Sequence, residues 1–222
     1  MTKVEVALNG SGSRIAAGCL IVAWAFNAIA CLDPQMVSID RPAPAELDVS
    51  PFRRVLVTDF IAGGSADIDV NVETVRLLRS QLRARTSLKV IETDLPIAPL
   101  FGRDGCSVLL RNEKAVEACA EIFGQAPLWR QLGNEYEQPL IISGTIFFSA
   151  YPHAASLAPT FVFIDGRSGD VLHSERLQER VSAPSSRRAA LSWYFELMDR
   201  ILPAFLRTVG DQSAHGTRAL LR

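Results

Sequence analysis

No charged side chain stands between Arg14 and Asp33. Within that interval, residues 15–30 read IAAGCLIVAWAFNAIA, with Asn27 the only strongly polar side chain. Lys3 and Arg14 precede the run, and small residues close it. This is the layout of a secretory signal peptide, although Glu5 dilutes the basic start. Taking 30 of the 222 residues out of the fold leaves 192, one domain of ordinary size. Four cysteines are present, and an envelope destination makes disulfides admissible among them.

The run ends Ala28-Ile29-Ala30-Cys31. Small residues just before a Cys resemble the lipobox of bacterial lipoproteins. There the thiol is diacylated, the leader is removed and the new amine is acylated. Ala28 departs from the Leu that commonly stands three residues before the Cys. The resemblance makes Cys31 a lipid anchor carrying palmitate-type chains. More than one chain gives stable anchoring, since each buried methylene adds about 0.8 kcal/mol. A plain cleaved leader and an uncleaved membrane helix remain as alternatives, because the uncharged stretch just reaches spanning length. Leu32, rather than Asp, after the Cys is what the resemblance associates with the outer membrane, the domain facing the periplasm. Next comes LDPQMVSIDRPAPAELDVSP, with four prolines and little periodicity. Residues 31–52 therefore read as anchor and tether.

With 23 Lys+Arg against 24 Asp+Glu the net charge is −1, which argues against a nucleic-acid binder driven by bulk positive charge. A hydrophobic fraction of 48% supplies a core and excludes a disordered chain.

Residues 54–60 (RVLVTDF) read as a buried strand, followed by a Gly63-Gly64 loop. Apolar residues at Val72, Val75, Leu78 and Leu82 predict a helix over 70–85, with Arg76, Arg79 and Arg83 on its wet side and Asp67 or Asp69 as cap. Residues 88–93 predict a second strand. Pro96, Pro99, Gly102 and Gly105 predict a loop over 94–105. Asn112 caps a helix through Phe123, with Gly124 as its stop, and a short helical piece follows around 128–132. Strands are predicted over 140–149, 160–164 and 171–181, with turn chemistry at 165–170. A long amphipathic helix opens at Ser185 or Ser186 and runs to about Val209, its stripe formed by Leu191, Tyr194, Phe195, Met198, Ile201, Leu202, Phe205 and Leu206. Pro203 is expected to bend it. Residues 210–222 read as a flexible tail. The expected fold class is mixed α/β (α+β), in the order β-α-β-α-β-β-β-α, with helices packed on one mixed sheet.

Three stretches resemble small bacterial envelope lipoproteins with a TolB N-terminal-like domain, a group that includes the curli-secretion lipoprotein. RVLVTDFIAGG is similar to that family's first strand and loop. LWRQLGNEYEQPLIISGTIFF is similar to its helix and following strand, and TFVFIDGRSGDVLHSER to its closing hairpin. The resemblance covers about residues 53–209 and implies a TolB N-terminal-like domain there. The long loop at 94–105 and two cysteines depart from it. The family is mostly non-enzymatic, so it implies no catalytic residues.

The 61–65 loop lacks G-x-G-x-x-G and G-K-[ST], so a βα turn is the simpler reading than a phosphate loop. Asp67, Asp69, Asn71 and Glu73 alternate like an EF-hand start, but Val72 stands where Gly is needed and Leu78 where Glu is needed. A helix start accounts for them. The 165–170 turn is a hairpin before it is a metal site. Cys106 and Cys119 are either a disulfide or buried free thiols; a bond would add about 3 kcal/mol in the chain-entropy model. His153, His173 and His215 lack metal-ligand spacing. Ser143-Gly144 sits in a strand pattern rather than a nucleophile elbow. Trp129, Tyr136 and Tyr151 are either core aromatics or a contact surface.

The expectation is a non-enzymatic, outer-membrane-anchored lipoprotein that binds and positions or activates an envelope protein partner. No cofactor or metal and no nucleic acid is expected. The alternative is a subunit of a ring-shaped secretion channel, which needs membrane hairpins of about 9–11 alternating residues per strand. Only residues 140–164 offer one.

Overall fold

The computed structural model describes residues 47–106, 109–182 and 188–210. The leader, Cys31, most of the tether and the tail with His215 lie outside the described residues.

The strand expected at 54–60 runs on as β1 (Arg54–Gly64). Gly63 and Gly64 are therefore ladder residues, not a loop, paired with Phe147 and Phe148. Gly64 has φ +108, and a Cβ there would stand 1.8 Å from the Phe148 carbonyl oxygen, so no other residue fits. Helix α1 (Val70–Arg85) follows, capped by Asp69, whose carboxylate accepts from Val72 N. Strand β2 is only Lys89–Ile91.

The loop expected over 94–105 contains a helical turn, α2 (Ile97–Leu100), and a 3-10 turn, Asp104–Cys106. Asn112 caps α3 (Glu113–Cys119), accepting from Ala115 N; the chain then tightens to a 3-10 turn over Ala120–Gly124 instead of continuing as one helix. Helix α4 is Ala126–Glu135.

Strands β3 (Leu140–Tyr151) and β4 (Ala154–Asp165) pair along their whole lengths. The single strand expected over 171–181 is two, β5 (Val171–Arg176) and β6 (Glu179–Ser182), both on the outer edge of β4. Pro159 explains the break. Its carbonyl accepts from Leu177 N on that edge, so its nitrogen faces the same edge with no hydrogen to give. Helix α5 is Ala190–Thr208.

The result is one mixed six-stranded sheet in the order β2-β1-β3-β4-β5, with β6 also on β4 and five helices packed on it among the described residues. β1 runs parallel to β2 and β3, and the rest is antiparallel. Both faces are covered, so the inner strands are apolar almost throughout. Val55, Val57, Leu140, Ile142, Phe161 and Phe163 pack with α1 and α5. Leu56, Ile61, Ile141, Val162 and Ile164 pack with Ile97, Phe101, Val116 and Trp129 on the other face.

Phe205 stacks against Phe161 and Phe163, with centroids 4.8 and 6.0 Å away. The Tyr194 hydroxyl lies 2.9 Å from Thr74 Oγ1 and ties α5 to α1. The helix stripes differ in detail from expectation. Val72 and Leu191 are exposed, while Trp193 and Leu197 are buried.

Candidate functional site

Because β2 matches only Arg54–Leu56, the rest of that edge of β1 is closed by other means. Asp59 N donates to Leu95 O at 3.1 Å. Further on, Leu110 N donates to Ala62 O and Gly64 N to Leu110 O, at 3.0 and 2.8 Å. Between these two fastenings the Phe60 N–H would be open, and Asn71 closes it, its Oδ1 accepting at 2.7 Å. What remains is a cleft of about 330 Å³ between the end of β1, the start of α1 and the α2 turn. Phe60, Ile68, Ile97, Ala98 and Pro99 supply apolar wall; Asp59 and Asp69 are the charged residues lining it. Its lining is polar as much as apolar, and a concave site of this size with convergent polar groups is a common form of binding site.

Asp59 stands at the inner end of this wall, half-buried. Burial pushes its carboxyl above the ordinary aspartate range. The Asn71 amide opposes that by hydrogen bonding to it, Asp94 adds to it, Arg79 opposes it and Asp69 adds a little. A second cleft of about 370 Å³ lies on the other side of Asp59 and Asn71. It holds three arginines, each already paired: Arg76–Glu73 at 2.5 Å, Arg79–Asp94 at 2.9 Å and Arg83–Glu92 at 2.5 Å. Arg79 is not on a wet face. It is buried, and its Nη2 donates to Val57 O at 3.0 Å and to Thr93 O. This guanidinium joins the middle of β1 to the segment after β2.

The EF-hand-like side chains are spent on local structure. Asp69 caps α1, Asn71 bonds β1, and Glu73 pairs with Arg76. In the 165–170 turn, the Asp165 carboxylate accepts from Arg167 N at 2.8 Å and pairs with the guanidinium at 2.7 Å. Ser143 is buried in β3, its hydroxyl donating to Asp59 O at 3.3 Å. His153 lies in the turn between β3 and β4, and His173 sits on β5 with its ring 5.8 Å from Phe163. Trp129 is core, its Nε1 donating to Ile122 O at 2.9 Å. Tyr136 is partly buried against the same cluster and Tyr151 is exposed. Cys106 and Cys119 are joined by a disulfide with Cα atoms 5.9 Å apart, and Cys106 stands at the edge of the β1 cleft.

Among the described residues, no group of three or more His, Cys, Asp or Glu side chains could hold a metal ion, and no helix is long and apolar enough to cross a membrane. The 140–164 hairpin is the interior of the sheet. β3 lies between β1 and β4, and Leu140–Ile146 are buried throughout, while burial alternates only in the far half of the hairpin.

Sequence spacing alone does not bring Asp59, Asn71 and Arg79 together as one site. Two signals were present. Asp59 interrupts an otherwise apolar strand, and Arg79 falls in phase with Val75, Leu78 and Leu82 on the core stripe.

No protein-family model matches the chain, and no curated protein does. Solved structures to which the chain shows some similarity include three bacterial proteins. A PelC dodecamer from Paraburkholderia phytofirmans is 14% identical, with 69% of this chain and 87% of that one covered and a TM-score of 0.41. Lipoprotein GNA1162 from Neisseria meningitidis is 14% identical over 68% and 96%, at 0.37. The LpoB C-terminal domain from Salmonella enterica is 12% identical over 58% and 83%, at 0.35.

Proposed function

We propose that this protein is a non-enzymatic envelope lipoprotein, anchored in the outer membrane through acylated Cys31, whose periplasmic domain binds and positions or activates a protein partner. The observation that carries this reading is the order of features along the chain. An apolar leader ends in Ala28-Ile29-Ala30-Cys31, and a Pro-rich tether joins that cysteine to the domain. The Cys106–Cys119 bond adds to it, because structural disulfides persist in oxidising compartments such as the periplasm. A tether of this kind raises the effective concentration of the domain for partners within its reach.

The test is the intact mass of the full-length protein taken from its native membrane in mild detergent, under conditions that keep complexes together. The expected species lacks residues 1–30, carries acyl chains, and is a monomer or holds a different protein. An uncleaved chain, or a mass without acyl groups, overturns the anchor. A closed ring of identical subunits replaces the partner-binding reading with a channel subunit.

A further inference from the structure

We propose that the cleft beside β1 seats a lysine side chain of the bound protein, its ammonium against Asp59 and its methylene stem along Phe60, Ile68 and Ile97. This rests on the partner-binding reading above and names the chemistry of its contact.

Three features select the occupant. Phe60, Ile68 and Ile97 make one part of a mixed lining apolar, which suits a side chain with a long hydrocarbon stem. The charged residues lining the cleft are both acidic, Asp59 and Asp69. The arginines nearest to it, on the far side of Asp59, are tied to Glu73, Asp94 and Glu92, and Arg79 acts on Asp59 more weakly than burial does. Asp69 spends one oxygen on the α1 cap, which leaves Asp59 as the principal counter-ion.

Asn71 decides between lysine and arginine. Its oxygen accepts from the Phe60 N–H at 2.7 Å, which holds its amide beside the Asp59 carboxylate, where it counters the effect of burial. A guanidinium recognises a carboxylate best through two parallel bonds; an ammonium is a point charge that needs one free oxygen. Burial and the neighbouring Asp94 make the ionised Asp59 costly when the cleft is empty, and an arriving cation relieves that cost.

The experiment uses the full-length protein in detergent with methyl-labelled isoleucine and alanine. Ile61, Ile68, Ile97, Ala66 and Ala98 report on the cleft, and Ile142 and Ile201, in the opposite core, report on the fold. The probes are N-acetyl-lysine methylamide and N-acetyl-norleucine methylamide, which share a stem and differ in the ammonium. The lysine probe should shift the cleft methyls and bind about tenfold more tightly than norleucine, the ratio expected for about 1.4 kcal/mol. Asp59→Asn should remove that preference while the Ile142 and Ile201 signals stay in place. Ala66→Phe, at an exposed position on the cleft, should block both probes. Equal affinity for the two probes, no shift at the cleft, or a preference that survives Asp59→Asn overturns the inference.

The partner-binding reading is separable. A partner that co-isolates equally with wild type and Asp59→Asn leaves that reading standing and removes the lysine contact. A wild-type protein that isolates as a closed ring of identical subunits removes the partner reading itself.

Discussion

Arg79 and Asp94 form an ion pair in which only one member is buried. The arginine side chain is 9% exposed and the aspartate 92%. The two halves should therefore differ in worth. Replacing Arg79 with Leu leaves the carbonyls of Val57 and Thr93 without their donor inside the protein, at a cost of about 2–4 kcal/mol. Replacing Asp94 with Asn removes a solvent-screened charge and should cost under about 1 kcal/mol. Urea midpoints at constant slope measure both. Equal losses would mean that the charge, not the backbone bonding, is what Arg79 supplies.

Two aspartates should titrate with opposite effects on stability. Hydrogen bonding from Arg167 holds the Asp165 carboxyl below the ordinary aspartate range. Its contribution is complete above the unfolded value of about 3.9 and disappears as pH falls through the folded value. Asp59 has a raised folded value, so stability declines as pH rises from about 3.9 through it. Melting curves between pH 3 and 7 should show Asp165→Asn lowering Tm at pH 7 and flattening the acid limb. Asp59→Asn should leave Tm at pH 7 equal to or above wild type. A lower Tm for Asp59→Asn at pH 7 would contradict the burial cost assigned to that carboxyl.

At the scale of elements, the segment between β2 and β3 depends on one covalent link. The Cys106–Cys119 bond joins the turn before α3 to its last residue, across 13 positions. Replacing Cys119 with Ser should cost about 3 kcal/mol. A variant with Ser at both positions should unfold identically with and without a dithiol reductant, whereas wild type should lose stability when reduced. A wild-type midpoint indifferent to reductant would mean that non-covalent packing alone holds this segment.

The elements that sequence displays well are those whose burial follows a simple period. The apolar strands at 54–60 and 140–149 and the stripe along α5 are examples. What it hides are places where a hydrogen-bond detail decides. The split between β5 and β6 follows from one missing proton at Pro159. The extension of β1 through Gly63-Gly64 follows from how closely β3 approaches. The cleft is hidden for a related reason. Asp59, Asn71 and Ile97 come from three elements, and only the shortness of β2 leaves the space they share.

For the whole molecule, the anchor and the domain should be separable. Cys31→Ser should move the protein from the membrane fraction to the soluble fraction without changing the urea midpoint of the domain. Continued retention in membranes would exclude acylation of Cys31 as the attachment.

The two faces of the sheet each bury one indole, Trp193 on α5 and Trp129 on α4. Trp24, the third in the chain, belongs to the stretch expected to be removed. The described domain thus carries its own pair of optical reporters, one per helical layer. Emission from Trp129→Phe and Trp193→Phe variants would follow each layer alone during unfolding, and show whether the disulfide-linked side loosens before the other while the sheet between them still holds.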